Sequence, residues 1–295
     1  MPEAAARSIF VTAPDGLRLH VREWRPRTAT ATPVICLPGL TRTGADFEVL
    51  AGALACDPIM PRRVLALDSR GRGKSQYDRY PASYNPATEL ADVLAVLTAL
   101  EIGRAIFVGT SRGGILAMLL SAARPTAVAG CVLNDIGPVT ELAGLARIKS
   151  YVGKLPRPAS DQDAADVLRQ LFAGQFTKLT ADDWLAFARR TFKEEDGQLV
   201  PDYDVRLGLT LERIDLEQPL PTLWKEFDSL ARVPMMLIRG SNSDVLSVAT
   251  AAAMRARRAS LELLTVADQG HAPLLADADT IGLIAAFVAT CDSRS

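Results

Sequence analysis

The chain has 295 residues, of which 48% are hydrophobic and 23% charged, with a formal net charge of −1. Such a composition excludes a disordered chain and leaves room for one large α/β core or a core with an insertion. The balanced charge offers no footprint for nucleic acid or an anionic membrane surface, so a small molecule is the expected partner.

In chain order, the first segment, MPEAAARSIFVTAPDG, lacks the basic-then-apolar layout of a signal peptide. No apolar run reaches the length of a bilayer span, so a cytoplasmic location is expected. SIFVTA and LRLHVREW flank Pro14-Asp15-Gly16, which predicts a β-hairpin. Strands and helices then alternate. PVICLPG, RVLALD, AIFVGT and AGCVLND read as strands, and DFEVLAGALA, PATELADVLAVLTAL and RGGILAMLLSAA as the helices between them. The strand runs are nearly continuous in apolar residues, as expected where helices cover both faces of a sheet. The rhythm predicts a doubly wound, mostly parallel sheet of the α/β class.

After NDIGP the alternation stops. Residues 137–230 show helical patterning, as in DAADVLRQLFAGQF and ADDWLAFARRTF, and no clear strand. The segment is too long for a loop, so a helical lid is expected there, with residues 1–136 and 231–295 forming the core. PMMLIRG resumes the alternation, followed by a helix over 248–258, the strand LELLTVA and a last helix near ADTIGLIAAFVAT. Cys36, Cys56, Cys131 and Cys291 are widely separated. They offer neither metal-ligand spacing nor a disulfide framework, and no metal or other cofactor is expected. Cys36 and Cys131 lie in strand-like runs and read as small buried hydrophobes.

Two motifs suggest chemistry. DSRGRGKS, residues 68–75, ends like a phosphate-binding loop, but Asp68 stands where that loop requires glycine, and Pro81 and Pro86 interrupt the helix that should follow. VGTSRGG is the stronger signal, because Gly109-Thr110-Ser111-Arg112-Gly113 fits G-x-S-x-G at a strand-to-helix turn. A serine there needs a base. Of the two histidines, His20 lies within a strand, whereas His271 follows the last strand at the crevice end. The orienting carboxylate is expected from Asp244, after the strand that ends at Arg239, with Asp135, at the end of VLND, as the alternative acid. Backbone N–H groups of Leu40 and Arg112 are the expected oxyanion donors.

LPGL, DSRGRGKS, GTSRGG, GSNSD and QGH, in that order, resemble the α/β-hydrolase superfamily, over roughly residues 33–135 and 233–275. Lidded bacterial esterases, lactonases and carbon–carbon bond hydrolases are the most similar groups. The resemblance implies a structural role for the octet, with Asp68 and Arg70 tying a glycine-rich turn and Ser75 closing it. Many members carry His-Gly before the oxyanion loop, where this chain has Pro38-Gly39. The implied activity is a serine hydrolase that cleaves a small carboxylic ester or lactone through an acyl-enzyme. A diketone hydrolase with the same triad and a non-catalytic ligand receptor are the alternatives. Dehalogenase and epoxide hydrolase activities are disfavoured, because those relatives carry an aspartate nucleophile at the position of Ser111. Arg42 and Arg112 are candidates for attracting an acidic substrate, and Phe172, Phe176, Trp184, Phe187 and Trp224 for lining an acyl pocket.

Overall fold

Arg7–Thr12 (β1) and Arg18–Trp24 (β2) pair antiparallel around the Pro14-Asp15-Gly16 turn, where Gly16 adopts φ +87° and Asp15 accepts the amide of Leu17. This computed structural model describes residues 6–25 and 29–292. The start of the segment inspected for a leader, residues 1–5, lies outside the described residues, as do 26–28 and the last three residues assigned to the core.

The core strands continue with Val34–Leu37 (β3), Val64–Asp68 (β4), Ala105–Thr110 (β5) and Val128–Asn134 (β6). Between them run the helices Glu48–Ala55 (α1), Pro86–Ala99 (α2) and Arg112–Ala123 (α3). The start of α2 has a clear cause: Asn85 accepts the Thr88 amide as N-cap and Pro86 occupies the first helical position. Side chains alternate between two buried layers. Ile35 and Leu37 of β3 enter one apolar cluster, while Val34 and Cys36 enter the other. Both faces of the strand are therefore dry, which is why the sequence reads as an unbroken apolar run. Each such aliphatic side chain contributes about 1.5–3 kcal/mol by leaving water. Cys36 and Cys131 belong to these layers, and burial pushes both thiols up, Cys131 to about 12.

The chain leaves the sheet after β6 and returns at Met235–Gly240 (β9). In between lie Leu142–Tyr151 (α4), Asp161–Phe172 (α5), Ala181–Thr191 (α6), a two-stranded hairpin of Phe192–Glu195 (β7) and Gln198–Pro201 (β8), and the short helices Leu207–Glu212 (α7) and Trp224–Ser229 (α8). The hairpin corrects the expectation of an insertion without strands. Asp196 and Gly197 at its tip both take positive φ, +52° and +74°. That is the turn an Asp-Gly pair favours. Lys193, Glu194 and Glu195 on the first strand masked the apolar alternation.

Val248–Arg257 (α9), Glu262–Val266 (β10) and Ala278–Asp292 (α10) complete the chain. The eight-stranded sheet has the order β1-β2-β4-β3-β5-β6-β9-β10, antiparallel at β1–β2 and β2–β4 and parallel elsewhere. Its register arranges the site. Thr110 pairs with Asn134, Asn134 with Ile238, and Gly240 with Val266. The residues just beyond these strands, Ser111, Asp135 and the loop that carries His271, emerge side by side at the carboxyl edge, where open α/β sheets bind ligands.

Candidate active site

Ser111 sits between β5 and α3 with φ +50° and ψ −113°, a conformation that side-chain-bearing residues seldom adopt. The surrounding glycines permit it. A Cβ on Gly109 would stand 2.5 Å from the Gly113 carbonyl oxygen, and one on Gly113 would collide with the Leu37 carbonyl. Two backbone bonds brace the turn: the Ser111 amide donates to Asn134 O at 3.0 Å and its carbonyl accepts from Gly114 N at 2.9 Å.

The structure brings His271 to this serine, with Nε2 2.8 Å from Ser111 Oγ and Nδ1 2.8 Å from Asp135 Oδ2. A carboxylate only accepts, so Nδ1 carries the proton and Nε2 is free to accept from the hydroxyl. Asp135 is fully buried, and its other bonds orient it: Gly240 N–H donates to Oδ1 at 2.8 Å and Ser243 Oγ to Oδ2 at 2.6 Å. Asp244 is elsewhere, which corrects the expected acid. Its carboxylate is gripped by Arg147 of α4, Nε to Oδ2 at 2.6 Å and Nη2 to Oδ1 at 2.7 Å, while its carbonyl accepts from Gly144 N. Burial works to raise the Asp244 carboxyl, but the Arg147 guanidinium outweighs it and holds the group below its usual range. The physical reason is distance along the chain. Asp135 is one residue past β6, beside Ser111, whereas the loop after β9 has already turned toward α4 by Asp244.

The predicted oxyanion loop also faces Ser111. A Cβ on Gly39 would lie 3.8 Å from Ser111 Cβ, and Arg42 N donates to Gly39 O to close the turn. Arg112 is the first residue of α3, where an N–H has no intrahelical acceptor. Behind the loop, fully buried Arg72 donates to Leu40 O at 2.7 Å and pairs with Glu89 at 2.8 Å, which in turn lies 3.4 Å from Arg112 Nε. Arg72 belongs to the octet DSRGRGKS. Its companions are structural too: Asp68 binds His20 and the amides of Gly44 and Lys74, Arg70 holds Asp92 by two bonds, and Ser75 Oγ donates to Asp68 O. His20 thus joins a second Ser-His-Asp array, with Nε2 2.9 Å from Ser8 Oγ. Ser8 lies on a regular edge strand, and it does not line the cavity in front of Ser111.

In front of Ser111 a cavity of about 110 Å³ lies between the core and the inserted segment. Phe172, Phe176 and Phe187 line it, whereas Trp184 is packed behind them and Trp224, outside it, lies under Arg257 and meets Phe227 edge to face. Of the two arginines considered for an acidic substrate, Arg42 is bound to Asp46 and Thr191, and Arg112 faces Glu89. Two further side chains carried no sequence signal. Gln175, after α5, accepts the His271 amide on Oε1 at 2.9 Å, and Arg190 of α6 lines the cavity. Among the described residues no group of three or more His, Cys, Asp or Glu is placed to hold a metal ion, and no helix is long and apolar enough to cross a membrane.

A sequence profile of the Alpha/beta hydrolase family matches residues 34–282. The crystal structure of an alpha/beta hydrolase from Novosphingobium aromaticivorans superposes with a TM-score of 0.90 at 39% identity, covering 97% of this chain and 99% of that one. A 3-hydroxybutyrate-oligomer hydrolase from Cupriavidus necator is 29% identical over 93% of this chain and 94% of its own length. A 2-(acetamidomethylene)succinate hydrolase from Mesorhizobium japonicum is 25% identical over 86% of this chain and 85% of its own.

Proposed function

The chain belongs to the alpha/beta hydrolase family and is a hydrolase, and from that premise we propose that it cleaves small carboxylic esters through a covalent acyl-serine intermediate. Short esters of hydroxy acids fall within this class, in keeping with the 3-hydroxybutyrate-oligomer hydrolase it resembles along nearly its whole length. One observation carries the proposal: an unbroken hydrogen-bond chain from Ser111 through His271 to Asp135, with Ser111 and His271 on the wall of a cavity. In this mechanism Ser111 Oγ attacks the ester carbonyl carbon as His271 Nε2 takes its proton. Asp135 keeps the imidazole in its Nδ1–H tautomer and favours the imidazolium. The amides of Leu40 and Arg112 receive the oxyanion. The imidazolium then protonates the departing alkoxide, and water attacks the acyl-serine by the same route in reverse. The segment between β6 and β9 acts as a lid, which fits its share of the cavity wall, Phe172, Phe176 and Phe187 among it.

The test is turnover of short 4-nitrophenyl esters, lactones and a 1,5-diketo acid by the purified protein and by Ser111→Ala. The ester or lactone rates should exceed the diketone rate and fall at least a thousandfold in the variant. Undiminished ester turnover in Ser111→Ala refutes the serine mechanism, and preferential cleavage of the diketone reassigns the bond that is broken.

A further inference from the structure

We propose that Arg190 is the seat of an anionic group on the substrate, so that the preferred substrates are esters bearing a carboxylate. This deepens, and rests on, the proposed ester hydrolysis at Ser111. The cavity wall holds two guanidinium groups and one carboxylate: Arg42, Arg190 and Asp46. Arg42 takes both oxygens of Asp46, Nε to Oδ2 at 2.7 Å and Nη2 to Oδ1 at 2.5 Å, gives a further bond to Thr191 Oγ1, and lies over the Phe187 ring. Arg190 is left with Asp46 Oδ1 at 3.7 Å, beyond hydrogen-bond reach.

Its other acidic neighbours face elsewhere. Glu48 is exposed at the surface, 3.9 Å from Arg22, and Asp183 closes the helix cap at Thr180 with bonds of 2.8 and 2.7 Å. Position on α6 makes the contrast plain. Arg189 is 62% exposed and pairs with Asp161, whereas Arg190, three residues on from Phe187, is 21% exposed and turned to the cavity. Burial is the largest influence on the Arg190 guanidinium and pushes its pKa down, the direction of a cation short of counter-charge. A guanidinium presents its donors in a fork that matches a carboxylate, and in a partly buried cavity such a pair is stronger than at an open surface. Much of the remaining wall is apolar, including Ile148, Leu155 and Leu168, which suits the carbon chain between the ester and its charged end.

The experiment compares 4-nitrophenyl hydrogen succinate with 4-nitrophenyl 4-methylpentanoate, and the acetate ester of 4-hydroxybutanoate with butyl acetate. The charge thus lies on the acyl side in one pair and on the alcohol side in the other. In at least one pair the wild-type protein should favour the anion, and the ratio of kcat/KM, anion over neutral, should fall roughly 10- to 100-fold in Arg190→Met and largely recover in Arg190→Lys. A ratio unchanged by Arg190→Met in both pairs overturns the proposal, as does a wild-type preference for the neutral ester in both. Thermal denaturation in the presence of glutarate, which has no bond to cleave, separates this result from the fate of the ester mechanism. Glutarate should raise Tm in the wild type and fail to do so in Arg190→Met, even if no ester is turned over; no shift in the wild type counts against the anion seat.

Discussion

Replacing Asp135 by asparagine, beside the matching Asp244→Asn change, separates the two acids that chain order alone admits. The Asp135 carboxylate receives three donors: His271 Nδ1, Ser243 Oγ and the Gly240 amide. An amide offers one accepting oxygen. If that oxygen stays on Gly240 N–H, the NH2 group faces Nδ1 and drives the imidazole into its Nε2–H tautomer, which cannot accept from Ser111. If the amide flips, its NH2 meets the Gly240 N–H head on. In either case the negative charge that stabilises the imidazolium is lost. Wrong tautomer and missing charge together cost about 10³–10⁴ in kcat, roughly 4–5.5 kcal/mol of barrier. Asp244→Asn removes only the half-buried pair with Arg147, so kcat should stay within about threefold while unfolding stability drops by about 1 kcal/mol. Initial rates with 4-nitrophenyl acetate, with urea denaturation of each variant as a folding control, make the comparison. A hundredfold loss in Asp244→Asn with Asp135→Asn nearly intact would refute the geometric reasoning.

Gln175→Ala removes the acceptor that pins the His271 amide, so kcat should fall about 5- to 30-fold with KM little changed, and fluorophosphonate labelling should slow in parallel; unaltered labelling would show that Gln175 does not set the histidine. Arg72→Met leaves Glu89 buried with only Arg112 nearby and frees the Leu40 carbonyl, so the urea midpoint should report a loss of about 3 kcal/mol, and a change under 1 kcal/mol would deny the network that importance. Burial, and then the charge of Asp68, push the Asp202 carboxyl up to about 6 from 3.8. The folded chain therefore binds that proton more tightly than the unfolded one, and stability is lost as pH rises from about 4 to about 6. Asp202→Asn should stabilise the protein by about 2 kcal/mol at pH 7.5 and by much less near pH 4; an equal effect at both values would contradict this.

The sheet was legible because burial on both faces leaves a direct mark, an unbroken run such as Val34–Leu37, with turn residues between runs. The hairpin of β7 and β8 was hidden for the opposite reason. Its exposed strand carries Lys193, Glu194 and Glu195, so only Asp196-Gly197 signalled it. At the site, the serine turn announces itself locally through Gly109 and Gly113. The partner acid does not. Asp135 and Asp244 both lie between Ser111 and His271 in sequence, and only the pairing of Thr110 with Asn134 shows that the first emerges beside the serine. Gln175 and Arg190 were silent, since each is placed by contacts distant in sequence: one reaches the histidine loop from the segment between β6 and β9, and the other is defined by what Arg42 takes from Asp46.

The most direct measurement is labelling with a fluorophosphonate, which reacts only with an activated serine, followed by peptide mass spectrometry. A catalytic chain from Ser111 through His271 predicts close to one label per protein, on the peptide containing Ser111, and its loss in His271→Ala. A wild-type protein that remains unlabelled under conditions that modify a control serine esterase, or a label that persists in His271→Ala, would contradict it.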